Sequence, residues 1–327
     1  MVLLGESPRE TIWSDGKVKL YHFVNSKPAA TATPTLIIYS LVNKWYMLDL
    51  QEDRSFIRKM IDMGLDLYLL DTGDPSVSDK YKSMEDYICG NIYDAVTELC
   101  KFHGVPNVNL MGVCQGGTMS IIFAALYPAK VKNLVTLITP VDFSSSKSLL
   151  FEWSKNINIG DIVKAHHYLI PGKFLEHAFK WLKPAAQFRK YMNIPTAVAD
   201  RETLMNFLRM ELWISLSPPQ AGLAYRQFVE ELYIHNKLIQ GKLKINGRKV
   251  LLSNIRMPLL NVYAKHDHIV PPESSIPLCA RIASSDTETI SFDAGHIGIF
   301  VGRKSQTELA PRIASWILKR DVINTIT

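Results

Sequence analysis

The stretch Gly112-Val113-Cys114-Gln115-Gly116 has the form G-x-C-x-G and stands between an apolar run (108–113) and a helix-forming one (115–127). A thiol at such a strand-to-helix turn can serve as a nucleophile. The turn is sharp enough to require small residues two positions to either side, here Gly112 and Gly116, and the following helix N-terminus favours a thiolate. The Gln115 amide is expected to point into the site as one donor to an oxyanion. A buried cysteine between packing glycines is the plainer reading, but it does not explain why the glycines sit at a strand–helix junction. A cysteine nucleophile needs a base, and the base an orienting acid. On a scaffold with such an elbow they follow in the order nucleophile, acid, base, on loops after late strands. Asp267, in Lys265-His266-Asp267-His268-Ile269-Val270-Pro271-Pro272, follows an apolar run at 259–264. His296, in Gly295-His296-Ile297-Gly298, follows a run that ends at Phe292. Asp293 competes for the acid's role, but it precedes His296 by three residues and shares the base's loop. His268 is expected to support the acid from beside it, as Gly112 and Gly116 support the nucleophile. The second oxyanion donor should come from the loop after the first core strand, Ser40-Leu41-Val42-Asn43-Lys44, where the Val42 amide is the candidate and Asn43 the next.

These residues have to be held by the elements around them. Short apolar runs at 35–41, 65–71, 108–113 and 133–139 read as buried strands. Helical stripes lie between them at 51–63, at 83–102 with Ser83 as N-cap and Asp86 as its partner, and at 115–127, stopped by Pro128. Strands alternating with helices of this length imply a parallel sheet with right-handed crossovers. From about 142 to 252 the pattern breaks into helical texture rich in Trp, Phe, Tyr and Leu, punctuated by Pro171-Gly172, Pro184 and Pro218-Pro219. Asn246-Gly247 within it is a hairpin signal. Strand texture returns at 258–264 and 287–292, and a last helix is expected at about 306–319. The predicted organisation is an α/β core in two pieces, 1–141 and 253–327, interrupted by a mainly helical cap or lid at 142–252. Trp153, Trp181 and Trp213 would give that insertion a core of its own.

Composition limits the function classes. With 327 residues, 47% apolar and 21% charged, the chain is neither disordered nor fibrous. The excess of 37 basic over 31 acidic residues suits anionic ligands, but it is spread along the chain without a basic block, so nucleic-acid binding is not indicated. The longest apolar run, 121–127, is too short to span a bilayer, and Glu6 interrupts any signal-like start; a cytoplasmic protein is expected. The four cysteines, Cys89, Cys100, Cys114 and Cys279, lack C-x-x-C spacing, which argues against a disulfide framework or structural zinc. The pair His166-His167 reads as ordinary polar surface more readily than as a metal site.

The motifs LVNKWYMLDLQEDRSFIRKM, DYICGNIYDAV, NLMGVCQGGT, NLVTLITPVDF, NFLRMELWI, HDHIVPP and GHIGIFVG run from about Pro34 to Trp316. Together they resemble the polyhydroxyalkanoate synthase catalytic subunit (PhaC) of the short, two-component class. The resemblance implies an α/β-hydrolase fold with Cys114 as nucleophile, Asp267 as the acid and His296 as the base. It implies polymerisation of (R)-3-hydroxyacyl-CoA, with 3-hydroxybutyryl-CoA the expected monomer, through a Cys-bound thioester. No resident cofactor or metal is implied, since the CoA thioester is the substrate. A PhaE-type partner subunit fits the motif wording better than a PhaR-type one, and a homodimer and association with polyester granules are further implications. Relatives often carry tryptophan after the strand-ending aspartate, whereas Asp71 here is followed by Thr72-Gly73, a change expected at the pocket wall or a partner contact. The rival readings are a cysteine-based hydrolase of the same fold, a thioesterase or polyester depolymerase, and a partner-binding protein on a retired scaffold.

Overall fold

In a computed structural model, which describes residues 2–25, 28–181 and 200–321, the apolar runs form the middle of an 8-stranded sheet. Its strands are β1 (Arg9–Asp15), β2 (Val18–Phe23), β3 (Thr35–Ile38), β4 (Leu67–Asp71), β5 (Val108–Val113), β6 (Val131–Leu137), β7 (Leu259–Ala264) and β8 (Thr287–Phe292). The spatial order is β1-β2-β4-β3-β5-β6-β7-β8; β2 pairs antiparallel with both its neighbours and the remaining pairs are parallel. Every residue of β3 and β5 is buried, as expected for central parallel strands covered on both faces, while edge strand β8 alternates with exposed positions.

The crossovers explain where the reactive ends lie. Helix α1 (Phe56–Asp62) starts later than the stripe suggests, at the Ser55 side chain, which accepts from the Arg58 amide. Ser83 and Asp86 exchange hydrogen bonds, Ser83 N–H to the carboxylate at 2.7 Å and Asp86 N–H to Ser83 Oγ at 3.2 Å, and a π-helical turn (Asp86–Ile92) then leads into α2 (Tyr93–His103). Helix α3 (Gln115–Leu126) is buried along all 12 residues, the state expected of a helix apolar on every side.

Between β6 and β7 lie α4 (Leu149–Lys155), α5 (Ile159–Ala165), α6 (Gly172–Trp181), α7 (Arg201–Ser215) and α8 (Gly222–Phe228), followed by a π-helical turn, Val229–Ile234. Residues 182–199 of this stretch, Pro184 among them, lie outside the described residues. The Asn246-Gly247 signal is a hairpin turn, with φ of 49° and 71° between Lys244–Ile245 and Arg248–Lys249. The aromatic core of this stretch is not the expected set of tryptophans. Phe143, Phe151, Phe228 and Tyr233 pack with ring centroids 4.8–6.3 Å apart, Trp213 is buried, but Trp153 and Trp181 are 38% and 68% exposed. Both exposed tryptophans sit on amphipathic helices whose inward faces are filled by other side chains.

The last helix, α9 (Ala310–Leu318), ends in a buried polar knot. The fully enclosed Asp321 carboxylate accepts from the Thr33 amide (3.1 Å), the Thr33 hydroxyl (2.8 Å), Asn109 Nδ2 (2.9 Å) and the Lys132 ammonium. It thereby ties the chain's far end to the entries of β3, β5 and β6. No described helix is long and apolar enough to cross a membrane.

Candidate active site

Cys114 is the single residue between β5 and α3. Its φ of 52° and ψ of −121° bend the backbone sharply, and its amide is anchored to the Leu137 carbonyl at 2.9 Å. Such a conformation costs an L-residue on the order of 1–3 kcal/mol and persists only where neighbours enforce it. They do so by crowding. A Cβ on Gly112 would lie 2.4 Å from the Gly117 Cα, and one on Gly116 would lie 2.3 Å from the Ile38 carbonyl oxygen. Gly117, which the motif alone does not single out, is equally constrained, since a Cβ there would come within 1.9 Å of Thr139 Oγ1.

Asp267 follows β7 with its side chain wholly enclosed. One carboxylate oxygen accepts from the Ile269 and Val270 amides, both at 2.9 Å, and the other meets His296 Nδ1 at 2.6 Å. His296 follows β8, and its ring is 11% exposed. Burial opposes charge on this imidazole, but the Asp267 carboxylate outweighs burial through its charge and hydrogen bond. The Cys114 thiol adds to the effect, and the pKa is raised from 6.5 to about 10. The structure therefore brings Cys114, Asp267 and His296 together from three loops at the carboxyl edge of the sheet. Asp293 is directed elsewhere: it pairs with exposed His266 at 2.7 Å. His268 is half-buried next to the acid in the chain.

The oxyanion side is more conditional. Gln115 opens α3, a 12-residue helix whose N-terminus faces the elbow. The Val42 amide, the expected second donor, is engaged in this conformation: it donates to Ser40 Oγ at 3.2 Å, a bond that an oxyanion would displace. The Leu41 amide donates to Gln115 Oε1 at 3.0 Å. Three other residues at the site were not legible in the sequence, because long-range packing alone puts them there. Tyr39 from the end of β3 and Tyr233 from the insertion both lie near the sulfur; burial first, and then charge at Cys114, pushes both phenols upward. Gln220 reaches from the insertion to the Leu41 carbonyl at 2.6 Å.

Cavities lie close to Cys114, lined by its neighbours. One of about 40 Å³ lies beside it, walled by Leu41, Lys44, Tyr87, Met119 and Gln220, with Thr72 and Gly73 at the departure noted above. A second of about 10 Å³ adjoins Gln115 and shares Leu41, Tyr87, Met119 and Gln220 with the first. Among the described residues no group of three or more His, Cys, Asp or Glu is placed to hold a metal ion.

Comparison with known proteins bears on both fold and chemistry. Residues 41–303 match the family model described as alpha/beta hydrolase fold, and residues 4–60 match that of the poly-beta-hydroxybutyrate polymerase (PhaC) N-terminus. The chain is 43% identical over 320 residues to the poly(3-hydroxyalkanoate) polymerase subunit PhaC of Thiocystis violacea, covering 97% of this chain and 89% of that one. It is 42% identical to the protein of the same name from Synechocystis, covering 98% of this chain and 86% of that one. Among solved structures, the monoacylglycerol lipase of Paleococcus ferrophilus superposes with a TM-score of 0.55 at 14% identity, covering 94% of this chain and 100% of that one. A likeness at that identity concerns the fold alone, and the fold is that of the α/β hydrolases.

Proposed function

The chain belongs to the PhaC family of poly(3-hydroxyalkanoate) polymerases, and from that premise we propose that it is the acyltransferase subunit that builds polyester on Cys114 from (R)-3-hydroxyacyl-CoA, with 3-hydroxybutyryl-CoA the expected monomer. The observation that carries this reading is the line formed by Asp267, His296 and the sulfur at the elbow.

The chemistry follows from that line. His296 holds the proton that the thiol gives up, as its raised pKa requires, and the Cys114 thiolate attacks the thioester carbonyl. The amides of Gln115 and Val42 receive the oxyanion. The C–S bond to CoA then breaks, and the departing thiolate takes the proton from His296. One thioester has replaced another of similar energy, so the acyl group stays activated. In the second half His296 deprotonates the 3-hydroxyl of another acyl group, that oxygen attacks the Cys114 thioester, an ester bond forms and the thiolate is regenerated. Asp267 has both oxygens occupied by Ile269, Val270 and His296, which favours His296 as the group that meets the attacking hydroxyl. Water must be kept from the thioester between steps. We assign that task to residues 142–252 as a cap, on the ground that Tyr233 and Gln220 of this stretch already reach the site.

A separate partner subunit, PhaE-type in preference to PhaR-type, a dimer of this chain, and a cytoplasmic location on polyester granules complete the proposal. The test is incubation with 3-hydroxybutyryl-CoA, with and without a PhaE-type subunit, following free CoA thiol and polymer together. Polymer forming in step with CoA, and both lost in Cys114→Ala, is the expected result. Release of monomeric acid without polymer would instead make the protein a hydrolase, and polymer formation surviving Cys114→Ala would remove the nucleophile from the mechanism.

A further inference from the structure

The carbonyl of Leu41 and the amide of Val42 belong to one planar trans peptide, so the direction of one fixes the direction of the other. The carbonyl is gripped from outside the core. Gln220, 5% exposed and carried by the insertion, donates from Nε2 to Leu41 O at 2.6 Å. The amide of Val42 faces the opposite way, where Ser40 Oγ accepts from it at 3.2 Å and approaches Gln115 Oε1 to 3.4 Å. A second tether from the same insertion holds the far end of the loop, with Trp213 Nε1 donating to the Lys44 carbonyl at 2.7 Å. The Leu41 side chain packs against the core and its own amide donates to Gln115 Oε1 at 3.0 Å, but the peptide that follows borders cavities of about 40 and about 10 Å³, both lined by Leu41 and Gln220. A peptide flanked by empty space can rotate when its one strong acceptor contact is removed.

We propose that Gln220 is a positioning residue for acyl transfer: by holding the Leu41 carbonyl it aims the Val42 N–H at the developing oxyanion, and so makes half of the oxyanion hole depend on how the insertion is seated. This inference rests on the reading of Cys114 as the acyl acceptor. It adds that the core alone does not complete the site. An insertion that shifts away from Leu41 leaves the nucleophile and base intact but the tetrahedral intermediate short of one donor.

The test separates reactions that form an oxyanion from one that does not. In the full chain, Cys114 is acetylated with 4-nitrophenyl acetate and, separately, alkylated with iodoacetamide, in the wild type and in Gln220→Met and Gln220→Glu. Methionine keeps the length without a donor, and glutamate sets an acceptor against the carbonyl. Loss of one oxyanion donor slows acyl transfer by about 10²–10³-fold. Both variants are therefore expected to acetylate about 10²-fold more slowly while alkylation stays near the wild-type rate, and turnover of 3-hydroxybutyryl-CoA should fall in kcat with KM little changed. Acetylation at the wild-type rate in both variants overturns the proposal, as does alkylation falling in step with acetylation, which would mean a general distortion. If one variant fails to fold, the other gives the same reading. A wild type that acetylates Cys114 but makes no polymer from 3-hydroxybutyryl-CoA defeats the proposed function and leaves the Gln220 inference measured; a wild-type Cys114 that accepts no acetyl group overturns both.

Discussion

The elbow that carries Cys114 and the loop that faces it, residues 40–44, are held by opposite means. Around the elbow, backbone crowds against backbone: three glycines leave no space for a Cβ, and the Cys114 amide is pinned to β6 through Leu137. The facing loop is held by side chains arriving from elsewhere, Gln115 from α3, Gln220 and Trp213 from the insertion, with cavities beside it. Crowding of the first kind has no second arrangement within reach, whereas hydrogen bonds of the second kind can be exchanged. The geometry at Cys114 is thus a property of the sheet, and that of the loop facing it is a property of how two parts of the chain meet.

The sharpest way to separate these halves is to damage the acid–base line while leaving the elbow untouched. Asp267→Asn keeps the size of the side chain but removes the charge behind His296, and turnover should fall by about 10³-fold or more. The same variant tests the proton balance. His296 is held at about 10 in the folded protein against 6.5 in the open chain, so between those values the folded state holds the extra proton and stability declines as pH rises. The contribution is complete below 6.5 and gone above about 10. Thermal melts between pH 6 and pH 10 should therefore slope downward more steeply in the wild type than in Asp267→Asn.

Next in size is the elbow itself. Gly116→Ala would place a methyl 2.3 Å from Ile38 O and 2.5 Å from Tyr39 O, both backbone atoms. Overpacking of this kind typically costs about 1–3 kcal/mol, and here the upper end is expected in a denaturant titration. A neutral result would break the contrast, since it would mean the elbow can yield. The smallest effect belongs to the adjustable side. Trp213→Phe removes the bond to the Lys44 carbonyl and should lower stability by about 1 kcal/mol. Acetylation of Cys114 should slow only a few-fold, because the Leu41 carbonyl remains held at the other end of the loop.

Legibility in the sequence follows the same division. Strands β3 to β7 announce themselves as apolar runs because they are covered by neighbouring elements, whereas edge strand β8 shows only alternation. Asp267 and His296 could be placed on adjacent loops because each follows a strand within a few residues. The hairpin of β1 and β2 went unread. Its strands mix exposed and buried positions, and a bulge between Thr11 and Trp13 interrupts the alternation, although Asp15-Gly16 carried a turn signal. The helix starts at Ser83 and near 306 were legible, but the π-helical turns at 86–92 and 305–309 were not, since such turns have no sequence period of their own. Gln220, Tyr39 and Tyr233 were invisible for a different reason: their contacts join residues far apart in the chain, and no local pattern encodes what a side chain will meet across such a distance.

The knot around Asp321 joins parts of the chain that are synthesised far apart in time. Thr33, Asn109 and Lys132 leave the ribosome long before their shared partner does, and until more than 180 further residues have been made they have only one another, through the bonds of Asn109 Nδ2 to the Thr33 carbonyl and of the Lys132 ammonium to the Thr33 hydroxyl. The carboxylate then joins the entries of β3, β5 and β6 at one point, so a single residue made late secures three strands made early.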